Sequence, residues 1–291
     1  MNTLEMPTNH ENIELKVAEM IENSKQEMSV ANLKKIMNLI DLTTLSVTDN
    51  EANVSELCNK VERFPSVFPN IPNVAAVCVY PSLIQVVCST IKNANIGFAS
   101  VGGGFPASQT FMEIKIKEAQ LAVERGATEI DIVLNVGNFL AGKYVEVQDE
   151  IAVLKKATGN AKLKVILETG ALPGYGAVRK ASFLAMDGGA DFIKTSTGKI
   201  EPAATPEAFL VMVEAIHDFF NETGKAIGIK PAGGISTPED ALIYFTIVKN
   251  ILGEHWLNNK LFRIGASRLS NNLLGKIQDL SGERQSFLPY F

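Results

Sequence analysis

The chain has 291 residues, 46% of them apolar and 20% charged, with a formal net charge of -5. That balance excludes a nucleic-acid binder built on a broadly basic face, and the apolar share excludes a disordered chain. No apolar run reaches the ~18 residues that span a bilayer. Residues 1–29 are polar and acidic, without the apolar stretch of a secretory signal. The three cysteines, Cys58, Cys78 and Cys88, are too few for a disulfide framework and fit a reducing compartment, so a cytoplasmic protein is expected. They have no short C-x-x-C spacing and the three histidines are scattered, so zinc is not expected; no other metal or cofactor is expected either.

In chain order, residues 11–23 carry a helical pattern, and residues 1–35 read as an N-terminal helical extension suited to capping the bottom of a barrel. Eight short β-rich runs come next, at 36–43, 74–80, 97–103, 129–135, 163–168, 192–197, 227–232 and 261–267. Helical patterns lie between most of them. Residues 113–125 place Ile116, Ala119, Leu121 and Val123 on an apolar stripe, and 144–157 and 206–221 behave alike. Thr205-Pro206 and Thr237-Pro238 are helix-start signals, and Gly126 and Gly189 stand where helices should end before strands four and six. Eight strand–helix units predict an α/β fold, a closed (β/α)8 barrel over residues 36–275, with 276–291 as a tail. The competing doubly wound sheet would carry a G-x-G-x-x-G turn between a strand and a helix, and none is found.

Strand residues alternate faces. This sends Ile130, Ile132 and Leu134 toward the helices, and Glu129, Asp131, Val133 and Asn135 toward the lumen. By the same rule Lys164, Ile166 and Glu168 share a face in strand five, Phe192, Lys194 and Ser196 in strand six, and Gly228, Lys230 and Ala232 in strand seven; Val74, Ala76, Cys78 and Tyr80 share one in strand two. A lone strand lysine is ordinarily part of a structural ion-pair network. Lys194 and Lys230, however, sit on adjacent strands near the C-terminal ends, the catalytic face of such barrels. Two crowded ammonium groups repel, one loses its proton, and the neutral amine becomes a nucleophile for carbonyl carbon. Asp131 is then placed to move protons or position a water. This is the logic of a Schiff-base aldolase, with the choice of nucleophile between the two lysines left open.

Glycine-bearing turns come after strands six to eight: Thr197-Gly198-Lys199, Gly233-Gly234-Ile235-Ser236 and Gly265-Ala266-Ser267. Loops in this position commonly hold phosphate. Ser196-Thr197-Gly198-Lys199 is not a P-loop, because Ile193 stands where that motif needs glycine and Ile200 comes after the lysine.

The run from Asp191 to Lys199, together with Lys230-Pro231-Ala232-Gly233-Gly234, resembles the 2-deoxyribose-5-phosphate aldolase family. Segments around Asp41-Leu42-Thr43, Val77-Cys78-Val79-Tyr80, Thr128-Glu129-Ile130-Asp131 and Lys164-Val165-Ile166-Leu167-Glu168 match as well, so the likeness covers about residues 35–275. The resemblance implies a (β/α)8 lyase of deoxyribonucleoside catabolism. Such an enzyme reversibly cleaves 2-deoxy-D-ribose 5-phosphate to acetaldehyde and D-glyceraldehyde 3-phosphate. It implies Lys194 as the Schiff-base lysine, Lys230 as its perturbing neighbour and Asp131 as the proton shuttle. It also implies substrate contacts at Asp41, Thr43, Cys78 and Thr197, and phosphate contacts at Gly198, Lys199, Gly233, Gly234, Ser236, Gly265 and Ser267. The implied partners are phosphorylated sugars and aldehydes, not nucleic acid or membrane, with a homodimer allowed. Two departures concern the phosphate loops: Ser236 stands where many members have arginine, and Arg268 where many have serine. Many members also end in a tyrosine that assists proton transfer, whereas Tyr290 is penultimate here. Other Schiff-base barrel enzymes and a non-enzymatic sugar-phosphate binder are the competing readings.

Overall fold

The computed structural model describes residues 10–282 and 289–291. Residues 1–9 of the expected extension and 283–288 of the expected tail lie outside the described residues.

Eight parallel strands form the sheet: β1 (Ile40–Thr43), β2 (Ala76–Val79), β3 (Gly97–Val101), β4 (Glu129–Val133), β5 (Lys162–Ile166), β6 (Phe192–Lys194), β7 (Gly228–Lys230) and β8 (Ile264–Ala266). Each pairs with its neighbour in sequence from β1 to β7, and β8 pairs with β1. Single bridges, Ile229 to Phe262 and Ala232 to Gly265, join the β7 and β8 segments and bring the barrel round on itself. The expected barrel is therefore the observed one.

The strands are shorter than the apolar runs predicted. At the first run the reason is specific. Leu33, Ile36 and Met37 are buried at helical spacing, so 36–37 finish a helix, α2 (Val30–Met37), and pairing begins only at Ile40. Among the described residues the extension thus holds one α-helix, a 3-10 turn and the start of a second α-helix. α1 (His10–Ser24) lies against α9 (Pro206–Thr223) and α10 (Pro238–Leu252) in the outer ring. There Lys16 pairs with Glu214 at 2.6 Å, so α1 covers a flank, not the barrel bottom. The residue after α2 does reach the αβ loops at the bottom: Asn38 donates to the Asn73 carbonyl at 2.9 Å and accepts from Asn259 at 3.1 Å. Helix α11 (Arg268–Ser281) runs through residue 275, so the expected tail begins inside a helix.

The remaining ring comprises α3 (Glu51–Val67), α4 (Ile84–Thr90), α5 (Met112–Glu124), α6 (Val136–Leu140), α7 (Tyr144–Ala157) and α8 (Gly174–Asp187). The start signals are used as read: Thr205 caps α9 by accepting from Ala208 N, and Thr237 forms a capping box with Asp240 at α10. The α5 stripe differs. Its buried positions are Lys115, Ala119 and Ala122, while Ile116, Leu121 and Val123 are half-buried.

Ile130, Ile132, Val165 and Ile193 belong to the apolar layer between strands and helices, as alternation requires. The opposite residues fill the lumen. The Phe192 ring takes the space beside Gly228, where an added Cβ would lie 2.3 Å from the ring. Glycine is needed there for close approach, and overpacking such a site costs roughly 1–3 kcal/mol or more.

Candidate active site

Above Phe192 the lumen is a network of seven charged side chains. Three carboxylates, Asp41, Glu129 and Asp131, meet four cations, Lys164, Lys194, Lys230 and Arg263. The strand register builds it: Asp131 pairs with Lys164 across β4–β5, and Lys194 with Lys230 across β6–β7. The lower layer is fully matched. Arg263 reaches Asp41 at 2.6 Å and Glu129 at 2.8 Å, and Lys164 reaches Asp41 and Asp131, each at 3.0 Å. Burial opposes the charge on Lys164, but Asp131, Asp41 and Glu129 outweigh it and hold its pKa well above the ordinary value.

The upper layer is short of negative charge. Lys194 donates to Asp131 Oδ2 at 3.0 Å, and the same oxygen accepts from Lys230 at 2.9 Å. Lys230 has Asp41 as a second carboxylate partner; among the described residues Lys194 has no second one. The consequences diverge. Lys230 is buried, yet Asp131 and Asp41 raise its pKa. The Lys194 pKa is lowered, first by burial and then by the Lys230 charge, which Asp131 only partly offsets. Asp131 stays ionised: burial works against its charge, but the three lysines pull its pKa far below the carboxylate range. Burial comes ahead of the cationic neighbour among the causes.

Lys194 also opens onto a cavity of about 460 Å³ at the C-terminal end of the strands. Thr43, Thr197, Gly198, Lys199, Gly233, Gly234, Ser236, Gly265 and Ser267 line it, and Arg268 joins them. Gly233 shows why these turns need glycine: its φ is +88°, and a Cβ would lie 2.5 Å from that of Ala203. Thr197 is held by Glu168, whose left-handed backbone (φ 54°) aims its carboxylate at the Thr197 amide (3.1 Å) and hydroxyl (2.6 Å).

The eight-stranded barrel and its sequence are matched by known proteins. The model of the DeoC/LacD family of aldolases matches residues 35–252. The chain belongs to that family. It is 45% identical over 260 residues to deoxyribose-phosphate aldolase of Homo sapiens, covering 86% of this chain and 81% of that one. The Mus musculus protein of the same name gives the same figures. Among solved structures, an aldolase named QR15 superposes with a TM-score of 0.69 at 28% identity, over 84% of this chain and 98% of that one. The deoxyribose phosphate aldolase of Aeropyrum pernix, described as tetrameric, shares the fold at a TM-score of 0.68 and 23% identity, over 88% and 96% of the two chains.

Not every residue expected in the DeoC/LacD site lines the cavity. Asp41 is fully buried one layer below, held by Lys164, Lys230 and Arg263. Cys78 is also fully buried, in a small apolar cluster with Leu45, Ala99 and Val101 that Tyr80 and Phe105 pack against. Burial, then the nearby Asp131 charge, push its thiol pKa up. Tyr290 is docked away from the lumen. Its hydroxyl donates to the Lys60 carbonyl at 2.8 Å, its ring packs edge-on against Phe68, and Asn271 accepts from its amide.

Two participants are not singled out by the sequence patterns above. Arg263 shares a strand face with Gly265 and Ser267, so alternation places it in the lumen. The Leu45 carbonyl, which accepts from Lys199 Nζ at 2.5 Å and from the Tyr80 hydroxyl at 3.2 Å, is backbone and leaves no mark in the sequence.

Proposed function

We propose that this chain is a Schiff-base aldolase that reversibly cleaves 2-deoxy-D-ribose 5-phosphate to acetaldehyde and D-glyceraldehyde 3-phosphate. The observation that carries the reading is the buried Lys194 amine. It faces the cavity, shares its Asp131 carboxylate oxygen with a second lysine, and has a lowered pKa. As a neutral amine it attacks C1 of the open-chain sugar, and loss of water from the carbinolamine leaves an iminium. Removal of the C3 hydroxyl proton breaks the C2–C3 bond. The electron pair enters the iminium and leaves an enamine on Lys194, while the aldehyde with the phosphate departs. Protonation at C2 and hydrolysis release acetaldehyde and restore the amine. Asp131, ionised and bonded to Lys194, takes and returns protons directly or through a water. Lys230 stays charged and keeps Lys194 from holding its own proton. The glycine turns after β6, β7 and β8 present backbone N–H groups to the phosphate. Thr43 and Thr197, on the cavity wall, contact the sugar.

We place this activity in a cytoplasmic route for deoxyribonucleoside sugars. Support comes from the relatives' names and the sparse cysteines. Among the described residues no helix is long and apolar enough to cross a membrane. The test is reductive trapping: borohydride with acetaldehyde adds an ethyl group to Lys194, read by peptide mass mapping. A chain that binds sugar phosphate but yields no adduct at Lys194 would be a binding protein instead.

A further inference from the structure

Two cations other than Lys194 line the cavity, Lys199 and Arg268, and they are in different states. Lys199 bridges the mouth and donates to the Leu45 carbonyl at 2.5 Å. Arg268 is exposed and, among the described residues, makes no hydrogen bond or ion pair. The backbone around them is also unequal. At the start of α10 the Asp240 carboxylate accepts from the amides of Ser236 (3.3 Å) and Thr237 (3.0 Å), which occupies those donors and puts negative charge beside them. At the start of α11 the Ser267 side chain makes no cap, so no side-chain oxygen of that residue competes for the first-turn amides.

We propose that Arg268 is the residue by which this site selects a phosphorylated sugar over an unphosphorylated one, its guanidinium gripping the phosphate against the first turn of α11. This deepens the aldolase reading and rests on it. The guanidinium is permanently charged and offers a planar pair of donors that fits two phosphate oxygens, which the tethered Lys199 ammonium does not. It also reassigns the charge recognition that the loop sequence alone gives to Lys199. Ser236, across the same cavity, is a second position from which a guanidinium would reach the ligand.

The test compares kcat/KM for 2-deoxyribose 5-phosphate with that for 2-deoxyribose. Arg268→Ser lowers the ratio by about tenfold or more, the loss falling on KM, as for removal of a charged hydrogen-bonding pair. Arg268→Lys retains part of the preference, and adding Ser236→Arg to Arg268→Ser restores part of it. Affinity for inorganic phosphate, measured by calorimetry, weakens in parallel in Arg268→Ser. An unchanged ratio and unchanged phosphate affinity in Arg268→Ser overturn the proposal. So does an equal loss for both sugars, which marks a structural role, or a loss of preference confined to Lys199→Met. If wild type is not trapped at Lys194 and cleaves neither sugar, the aldolase reading fails. Phosphate affinity then decides Arg268 alone: weaker in the variant supports it, equal or absent in wild type overturns it.

Discussion

Lys115, outside the barrel, and Lys194, inside it, are both nearly sealed from solvent, at 1% and 3% exposure. Lys115 rises from α5 to Glu150 of α7 at 2.6 Å and to the Ser108 hydroxyl at 2.8 Å. Among the described residues no other cation shares that carboxylate, and the task of Lys115 is to pin the loop after β3, where Ser108 takes a φ of 57°. Lys194 sits in a network of four cations and three carboxylates and shares one oxygen with Lys230. Burial disfavours charge in both places. Only in the lumen is there one cation more than the partners can match. A lysine buried with its own acid serves as a brace, whereas Lys194, left with one shared acid, is the proposed nucleophile.

The largest expected contrast is in chemistry. Lys194→Met loses turnover by roughly four orders of magnitude or more, as for deletion of a covalent nucleophile, together with the trapped adduct. Lys115→Met keeps the adduct at Lys194. Trapping lost from both variants would mean that the lumen and the brace are not separable. Next is Lys230→Met. It removes the repelling charge and leaves Asp131 Oδ2 to Lys194, while Lys164 keeps Oδ1, so the Lys194 pKa moves up. The acid limb of the pH–rate profile shifts to higher pH, and the rate at neutral pH falls on the order of a hundredfold. An unmoved limb would remove Lys230 as the perturber and leave burial alone.

The brace is tested by stability. Lys115→Met leaves Glu150 largely buried without its cation, and breaking such a pair costs about 3 kcal/mol. The double change Lys115→Met/Glu150→Met recovers most of it, because a well-packed apolar pair replaces a buried ion pair at little cost. Chemical denaturation of the single and double variants reads this directly. A double variant no more stable than the single would show that Ser108 and its loop depend on the charge itself.

The same contrast explains how much is legible in the sequence. Two-residue alternation in β4, β6 and β7, together with the rule that barrel chemistry lies at the C-terminal ends, is enough to bring Asp131, Lys194 and Lys230 to one place. It applies equally to Arg263, which goes unassigned because Asp41 adjoins it only once β8 closes onto β1, and Glu129 comes from β4, with which a sequence gives it no register. Lys115 is hidden for the opposite reason. A helical stripe is read from apolar residues, and a lysine on the buried side of α5 looks like a solvated one until Glu150 is seen opposite. Leu33, Ile36 and Met37 can be read as strand or helix, since a short apolar run carries no period of its own. The docking of Tyr290 against α3 depends on Asn271, Phe68 and the Lys60 carbonyl, none of which any spacing connects to the tail.

The smallest expected effect separates the two lysine environments through pH alone. Asp41, Glu129 and Asp131 all have lowered pKa values, despite burial, because lysine and arginine face them. Their contribution is full above the ordinary carboxylate range near pH ~4 and is lost as pH falls through their folded values. Lys194 has the reverse sign. Its pKa in the folded chain is below the ordinary lysine value of about 10.4, so in the window between the two the unfolded chain holds a proton that the native one has given up, and stability rises with pH. Lys194→Met removes that burden. Its melting temperature relative to wild type is highest at neutral pH, and the difference narrows as pH approaches ~10. A constant packing effect of methionine shifts the difference equally at every pH, so only its slope reports the amine. A flat difference across thermal melts from about pH 7 up to the ordinary lysine value of about 10.4 would mean that the amine titrates like an exposed lysine, and the lumen would then be a brace of the same kind as Lys115.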